Sequence, residues 1–298
     1  MKFLPKTAVL FALAGVAALP APPAILLHAA GRAAVDDPAL PSAEDVVHKV
    51  LATVTNAEVR KTSSQYRSVQ HTVIEKFDEK GRLREREDRV YDVGPLAGGV
   101  YASLVERNGK ELTATDLADE RERRQRFIES HGTQKFGGGD SDRVALDPEL
   151  FNRYKAEVLG REMISGRSTI ILHFWPKAAD LPVRRRQDYV LNKLTGKVWI
   201  DEQEWQILKV EAQLTERVRV VLGLVAALDK TDLSFEQVRM GEGVYLPLKF
   251  SANFEGRKLF TTLHEKVEVT WTGQRPAGDA GGVPGPGNTQ TNGAKQHP

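Results

Sequence analysis

Short segments with a two-residue hydrophobic period follow one another through most of the chain, and this pattern limits the fold more than any other feature. In the first segment, Val69 and Val73 lie on one face of an expected strand, and polar residues alternate with them. Turn sequences such as Asp78-Glu79-Lys80-Gly81 and Asn108-Gly109 separate the segments, and an Asn-Gly pair is a strong hairpin signal. The pattern predicts a mainly β (α+β) fold of about ten antiparallel strands.

Helical segments interrupt this pattern at a few places. Ser42 is followed by two acidic residues and by valines at helical spacing, which predicts an amphipathic helix over roughly residues 42–55. Residues 116–131 are rich in charged helix formers, which predicts a solvent-exposed helix. A short helix is expected over 148–154 and another near 222–228.

Several predicted strands are apolar on both faces, as in Ile170–Trp175 and Val198–Ile200. An antiparallel strand with one face in water alternates cleanly between apolar and polar residues, so both faces of these strands require cover. We therefore expect a strongly curved antiparallel sheet or unclosed barrel, with a few helices in or over the concave face. The inner space would be either a filled core or a cleft for an apolar ligand.

The two ends of the chain have non-globular compositions. A basic start with Lys2 and Lys6 precedes an uncharged segment over 7–19, which is typical of a signal peptide and predicts a periplasmic or secreted protein. An uncleaved N-terminal anchor is the alternative, although Pro20 and the prolines after it interrupt the apolar run, and no other segment predicts a membrane span. The expected organisation is a signal peptide (1–30), a linker (31–41), one β domain (42–272) and a disordered Gly/Pro-rich tail (273–298).

Charge and cysteine content exclude several classes of protein. Removal of Lys2 and Lys6 with the signal peptide leaves 40 basic and 40 acidic residues, so no nucleic-acid partner is expected. The chain has no cysteine, which excludes disulfides, thiol catalysis, thiolate metal sites and lipid attachment through an N-terminal cysteine.

The search for catalytic motifs predicts no catalytic residue, no metal and no cofactor. His264-Glu265 begins like a zinc-protease helix but lacks the second histidine four residues later. His71, His173 and His264 could converge on a metal, but their spacing does not require it. A hydrolase site assembled from distant segments stays open as an alternative, and the lack of motifs favours a binding or carrier role.

Several stretches in the second half of the chain carry a resemblance to a known family. They are Val158–Glu162, Leu172–Lys177, Leu191–Asp201, Ile207–Glu211, Phe235–Val238 and Gly243–Pro247. Together they resemble exported bacterial proteins related to outer-membrane lipoprotein-sorting proteins, the periplasmic LolA/LolB-like lipoprotein carriers. This resemblance implies an unclosed curved barrel with helices in its concavity and an apolar cavity for acyl chains. Without cysteine, the chain is not itself an acylated receptor of the LolB kind.

The sequence therefore predicts a periplasmic carrier or binding protein whose ligand is a lipid or acyl chain. The alternatives are an envelope module that binds a protein partner and the dispersed hydrolase. The segment over 220–228 is either a mobile apolar plug or an ordinary connection packed on the sheet. For each predicted cavity residue the alternative is ordinary core packing, and these residues are Ile170, Leu172, Phe174, Trp199, Leu222, Leu224 and Val225.

Overall fold

The computed structural model describes residues 39–132, 146–185, 187–221, 225–258 and 261–278. Its helices are α1 (Ala43–Val54), α2 (Ala57–Ser63), α3 (Ala114–Gly132), α4 (Pro148–Phe151) and α5 (Asp188–Leu191). Its strands are β1 (Tyr66–Phe77), β2 (Leu83–Leu96), β3 (Gly99–Arg107), β4 (Lys110–Glu111), β5 (Tyr154–Ile164), β6 (Arg167–Pro176), β7 (Leu194–Asp201), β8 (Ile207–Leu214), β9 (Val218–Val221), β10 (Val225–Gly241), β11 (Val244–Lys258) and β12 (Thr261–Pro276).

These strands form one antiparallel sheet that does not close into a barrel. One part has the order β4-β3-β2-β1-β12-β11-β10-β9, and the other has the order β5-β6-β7-β8. The parts meet where β8 runs beside β10, and there the side-chain amide of Gln237 donates a hydrogen bond of 2.7 Å to the Ile207 carbonyl. The predicted fold class, a curved and unclosed antiparallel sheet with a few helices, is confirmed.

The described residues contain twelve strands rather than about ten, and the difference has local causes. The Asn108-Gly109 turn closes a hairpin whose second strand, β4, is only two residues long. The helix predicted near 222–228 is wrong for its described part, because Val218–Val221 pairs with the start of β10. β-Branched valines favour strands, and three of the four residues of Val218–Val221 are valines.

The last strand of the described structure extends beyond the predicted end of the β domain. β12 continues to Pro276, which pairs with Tyr66 of β1, so this strand extends past the boundary placed at residue 272. The long β1 strand supplies backbone partners for these extra residues. The predicted signal peptide, most of the linker and the tail after residue 278 lie outside the described residues and stay predictions.

Each outer region of the sheet contains a β-bulge. In β3, Val105 is the extra residue of the bulge, because Glu106 pairs with Val90 and Leu104 pairs with the next residue, Tyr91. In β5, Leu159 is the extra residue, because Val158 pairs with Leu172 and Gly160 pairs with Ile171 of β6. Both bulged side chains are almost half exposed.

Gly196 lies where β7 and β8 approach each other closely. A Cβ atom added there would lie 1.8 Å from the Glu211 carbonyl oxygen and 2.8 Å from the Cα of Ala212. We expect Gly196→Ala to lower the free energy of unfolding by about 2 kcal/mol in urea titrations, because the backbone must move to make room. Gly241→Ala is the control, since nothing lies within 4 Å of its added Cβ. Equal stability of the two variants would contradict this close approach.

Candidate ligand-binding site

The candidate site is an aliphatic surface on the inner face of β6, β7 and β8, which we call the floor. Its members are almost completely buried and come from three adjacent strands. Strand register brings them together, because Ile170 pairs with Ile200 and Leu172 pairs with Val198, which in turn pairs with Val210. The floor consists of Ile170, Leu172, Ile200, Ile207 and Val210.

Helix α1 covers the floor. Ser42 caps its first turn, accepting a hydrogen bond of 3.1 Å from the Asp45 backbone N–H. Val46 and Val50, one helical turn apart, are 0% and 1% exposed and belong to the same cluster as the floor. Ala43, Val47 and Val54 pack around its margin. The inner space expected to be either a core or a cleft is therefore filled at this place by the chain's own helix.

The contact between α1 and the floor is made by aliphatic side chains. A polar contribution lies at its margin, where the Lys49 ammonium sits 4.1 Å from the ring centroid of Trp205. Just before the helix, the Arg161 guanidinium donates a hydrogen bond of 3.4 Å to the Ala39 carbonyl. Apolar contacts have no directional requirement, so another apolar group of similar width could take the place of the two valines.

Phe174 shares a face with Ile170 and Leu172 but packs against a second buried cluster. Its ring meets that of Tyr154 edge-on, with 5.1 Å between the centroids. Phe235 packs against both the floor and this second cluster, so the two form one continuous inner surface. The buried members of the second cluster are Leu191, Leu194, Ala212, Leu233, Phe250, Ala252 and Val269.

Trp199 lies on the opposite face of the sheet from the floor. It pairs with Ile171, whereas its neighbour Ile200 points to the floor, as the two-residue period of a strand requires. Its indole N–H donates a hydrogen bond of 2.6 Å to Glu162, and the Lys209 ammonium lies 4.5 Å from its ring centroid. The structure therefore separates Trp199 from the other cavity residues predicted on these strands.

The remaining predicted cavity residues lie at the join between β9 and β10. Leu222 and Leu224 are outside the described residues. Val225 begins β10, where its backbone pairs with Val221. Their part in a ligand site stays a prediction.

A buried polar network lies where β7 ends, next to the floor. Asp201 is fully buried and forms an ion pair with Arg167. Its carboxylate accepts a hydrogen bond of 3.0 Å from the Tyr245 hydroxyl. It also accepts hydrogen bonds of 2.9 Å from the backbone N–H groups of Gln203 and Glu204. Burial opposes ionisation, but these donors outweigh it and hold the pKa of Asp201 at about 2. The carboxylate of Glu204 continues the network by accepting bonds of 2.6 Å and 3.0 Å from Arg239 and the Gly243 N–H.

This network fastens the two parts of the sheet to each other. Asp201 and Glu204 belong to the β7–β8 connection, whereas Arg239, Gly243 and Tyr245 belong to the β10–β11 hairpin. Burial and the neighbouring carboxylates raise the pKa of Tyr245, so its hydroxyl stays a hydrogen-bond donor. The arrangement satisfies its charges internally and holds the end of the floor in place.

Two open grooves of about 300 and 430 Å³ lie at the β1–β2 turn and the start of β12. Charged side chains of both signs line them beside Phe77 and His264. Among the predicted cavity residues that the structure describes, none lines either groove, and the mixed charge of the grooves does not suit an apolar chain.

In the ranges that the structure describes, no group of three or more histidine and acidic side chains could hold a metal ion. None of the described helices has the length and apolar character needed to cross a bilayer.

Sequence reasoning missed the covering role of α1 and three members of the floor. The sequence predicts Ile200 as part of a strand with two apolar faces, and Val46 and Val50 as the apolar face of a helix, but it does not join them in one site. The alternation of side chains along each strand indicates which residues share a face of that strand. It does not indicate which residues of two strands are neighbours, because that depends on strand register, which no local pattern provides.

Comparisons with known proteins give structural neighbours alone. No protein-family model and no curated relative matches the chain. A domain assigned to outer membrane lipoprotein sorting, from Vibrio parahaemolyticus, is 11% identical over 77% of this chain and 92% of its own, with a TM-score of 0.35. A LolA-superfamily protein from Nitrosomonas europaea is 11% identical over 79% and 94%, with a TM-score of 0.28. The MucA/MucB complex of Pseudomonas aeruginosa matches with 10% identity over 78% and 99%, with a TM-score of 0.25.

Lipoprotein-sorting and LolA-superfamily domains are thus among the structural neighbours, as the resemblance predicted. At these identities and TM-scores the neighbours carry no argument, and a function has to be argued from this chain's own residues.

Proposed function

We propose that this protein binds an apolar ligand on the floor and carries it, with a lipid or a lipoprotein acyl chain as the ligand. The observation that supports this is the floor itself: five buried aliphatic side chains covered by one helix through aliphatic contacts. The predicted signal peptide supports a location in the periplasm or outside the cell for the proposed activity. We propose no catalysis, cofactor or nucleic-acid partner for this chain.

Binding would require α1 to leave the floor, and the energies involved permit such an exchange. Burying Val46 and Val50 is worth about 3–6 kcal/mol, and the partly buried side chains at the margin of the helix add to this. About six methylene groups of an acyl chain, at about 0.8 kcal/mol each, recover about 5 kcal/mol on the same surface. An acyl chain longer than this has a surplus that could displace the helix, whereas a short one does not.

A single thiol on α1 can report this exchange, because the chain has no cysteine. Val54→Cys, at the partly buried margin of the floor, would carry a polarity-sensitive dye. We expect long-chain fatty acids to shift its emission to the red, as the dye moves from the floor into water. Thr115→Cys, exposed on α3, is the matched control and should not respond.

Mass spectrometry of the purified protein is the second measurement, and co-purifying lipid or acyl chains are the expected result. A lipid-free protein whose dye at position 54 ignores fatty acids of every length would overturn the proposal. The floor would then be ordinary core, and capture of a protein partner by the lipid-free chain would favour the protein-binding alternative.

A further inference from the structure

Buried polar side chains hold the loop between β6 and β7 in one shape. We call residues 177–185 of this connection the tied loop. The side-chain amide of Asn192 donates hydrogen bonds of 2.9 Å and 3.2 Å to the carbonyls of Leu181 and Pro182. The Lys193 ammonium donates one of 2.9 Å to the Ala179 carbonyl. Once the contacts of Asp188 are included, five backbone groups of the loop, three carbonyls and two amides, are bound by side chains beneath it.

Asp188 fixes the far end of the tied loop. Its carboxylate accepts hydrogen bonds of 2.8 Å and 2.9 Å from the backbone N–H groups of Arg184 and Arg185. Burial opposes ionisation of this group, but those two donors and the guanidinium of Arg153 outweigh it, so the pKa of Asp188 lies below its ordinary value. Asp188 is therefore charged at neutral pH.

The charges beneath the tied loop are themselves buried. Arg153 is 5% exposed and Asp188 is fully buried, with 3.2 Å between their charged groups. The guanidinium also donates a hydrogen bond of 2.6 Å to Asn192. Buried ion pairs add little net stability compared with apolar packing, because desolvation offsets the attraction. What this one does provide is a fixed conformation for the loop above it.

The tied loop presents an aliphatic residue and cations to solvent. Val183 is 45% exposed, and the side chain of Arg184 is 70% exposed. The loop carries three basic side chains, Lys177, Arg184 and Arg185, against one acid, Asp180. Glu149, whose carboxylate lies 3.8 Å from Arg184, offsets part of this charge. An exposed aliphatic side chain flanked by cations suits the interface of an anionic membrane, where the apolar group enters the headgroup region and the cations meet phosphates.

We propose that the tied loop docks the protein on an anionic lipid surface, with Val183 in the headgroup layer and Arg184 on lipid phosphates. This surface is separate from the floor, so docking does not depend on whether the floor binds a ligand. An acidic protein partner would use the cations but gains less from an isolated aliphatic tip, and for this reason a lipid surface is the better fit.

The test measures sedimentation of the full chain with phosphatidylcholine vesicles that contain about 30 mol% phosphatidylglycerol. Arg184→Gln should weaken binding about five-fold, the usual effect of one basic residue at such a surface. Val183→Ser should weaken it at least three-fold, and the double variant more than ten-fold. Purely neutral phosphatidylcholine vesicles should bind little of any form.

Matched controls separate the loop from general charge and hydrophobicity. Arg124→Gln removes an exposed cation from α3, and Val105→Ser removes a side chain that is 46% exposed on β3. Neither should change vesicle binding. Asn192→Ala should also weaken binding while Val183 and Arg184 remain, because it releases the loop.

Equal vesicle binding by the loop variants and by these controls would overturn the proposal, as would binding that ignores phosphatidylglycerol. If Arg184→Gln weakened binding but Val183→Ser did not, insertion would be wrong, and an acidic protein surface would become the better occupant. Fatty-acid binding, read from the dye on α1, is measured in the same variants. Docking and ligand binding can therefore fail separately.

Discussion

Val50→Asp is expected to raise the affinity for a fluorescent fatty acid at least ten-fold if the floor binds acyl chains. Val50 is 1% exposed against the floor, and a carboxylate there would have to be desolvated without a partner. The helix should leave the floor instead, which removes the occupant that competes with the ligand. When only a small fraction of the protein is in the conformation that binds, the apparent affinity for the ligand rises in proportion to that fraction.

The same variant should lose about 3 kcal/mol of unfolding free energy in the absence of ligand, since the apolar face of α1 no longer packs. His48→Asp is the matched control, because it places the same charge on the exposed side of the same helix. Val50→Ala is the milder companion in case Val50→Asp does not fold. It should raise fatty-acid affinity by a few-fold with a loss of about 1 kcal/mol. Unchanged affinity in a folded Val50→Ala chain would refute the exchange.

Asp201→Asn should lower the free energy of unfolding at pH 7 by about 3–4 kcal/mol. The neutral amide loses the ion pair with Arg167 and leaves that guanidinium partly buried without its counter-charge. Tyr245→Phe removes one hydrogen bond of the same network and should cost about 1 kcal/mol. Asp180→Asn, an exposed acid on the tied loop, should change stability by less than about 0.5 kcal/mol.

The pH dependence of this effect has a definite sign. The pKa of Asp201 in the folded protein is about 2, below the ordinary value of 3.8 that the unfolded chain would have. The carboxylate therefore stabilises the fold above about pH 4, by about 2 kcal/mol, and this contribution is lost as the pH falls towards 2. In urea titrations, the gap in unfolding free energy between Asp201→Asn and the parent chain should narrow by about 2 kcal/mol over that range. A gap that stays constant down to pH 2 would mean that the charge of Asp201 does not hold the two parts of the sheet together.

Local signals predicted much of this architecture from the sequence. The N-cap at Ser42 and the valine spacing after it identified α1 almost to the residue. The strands with two apolar faces predicted a curved sheet, because a flat sheet with water on one side would not need them. Both signals depend on residues close in the chain, where spacing and composition are informative.

The site was harder to predict, because its members are joined by long-range register. Ile170 and Trp199 are both apolar and lie on adjacent strands, and composition alone grouped them in one cavity. Pairing of Trp199 with Ile171 places it on the other face. Likewise, Asp201 and Tyr245 are separated by 44 residues, and nothing in either local sequence indicates that they meet. Only the fold brings such pairs together.

The bulges at Val105 and Leu159 bear on how this protein behaves when crowded. The edge strands of an open sheet present backbone donors and acceptors on which another chain could add its own strand and begin a fibril. A β-bulge in the outer strands on each side interrupts the regular spacing of backbone donors and acceptors to which an added strand would have to bind. The bulges thus disfavour the addition of strands from neighbouring molecules to the edges of the unclosed sheet.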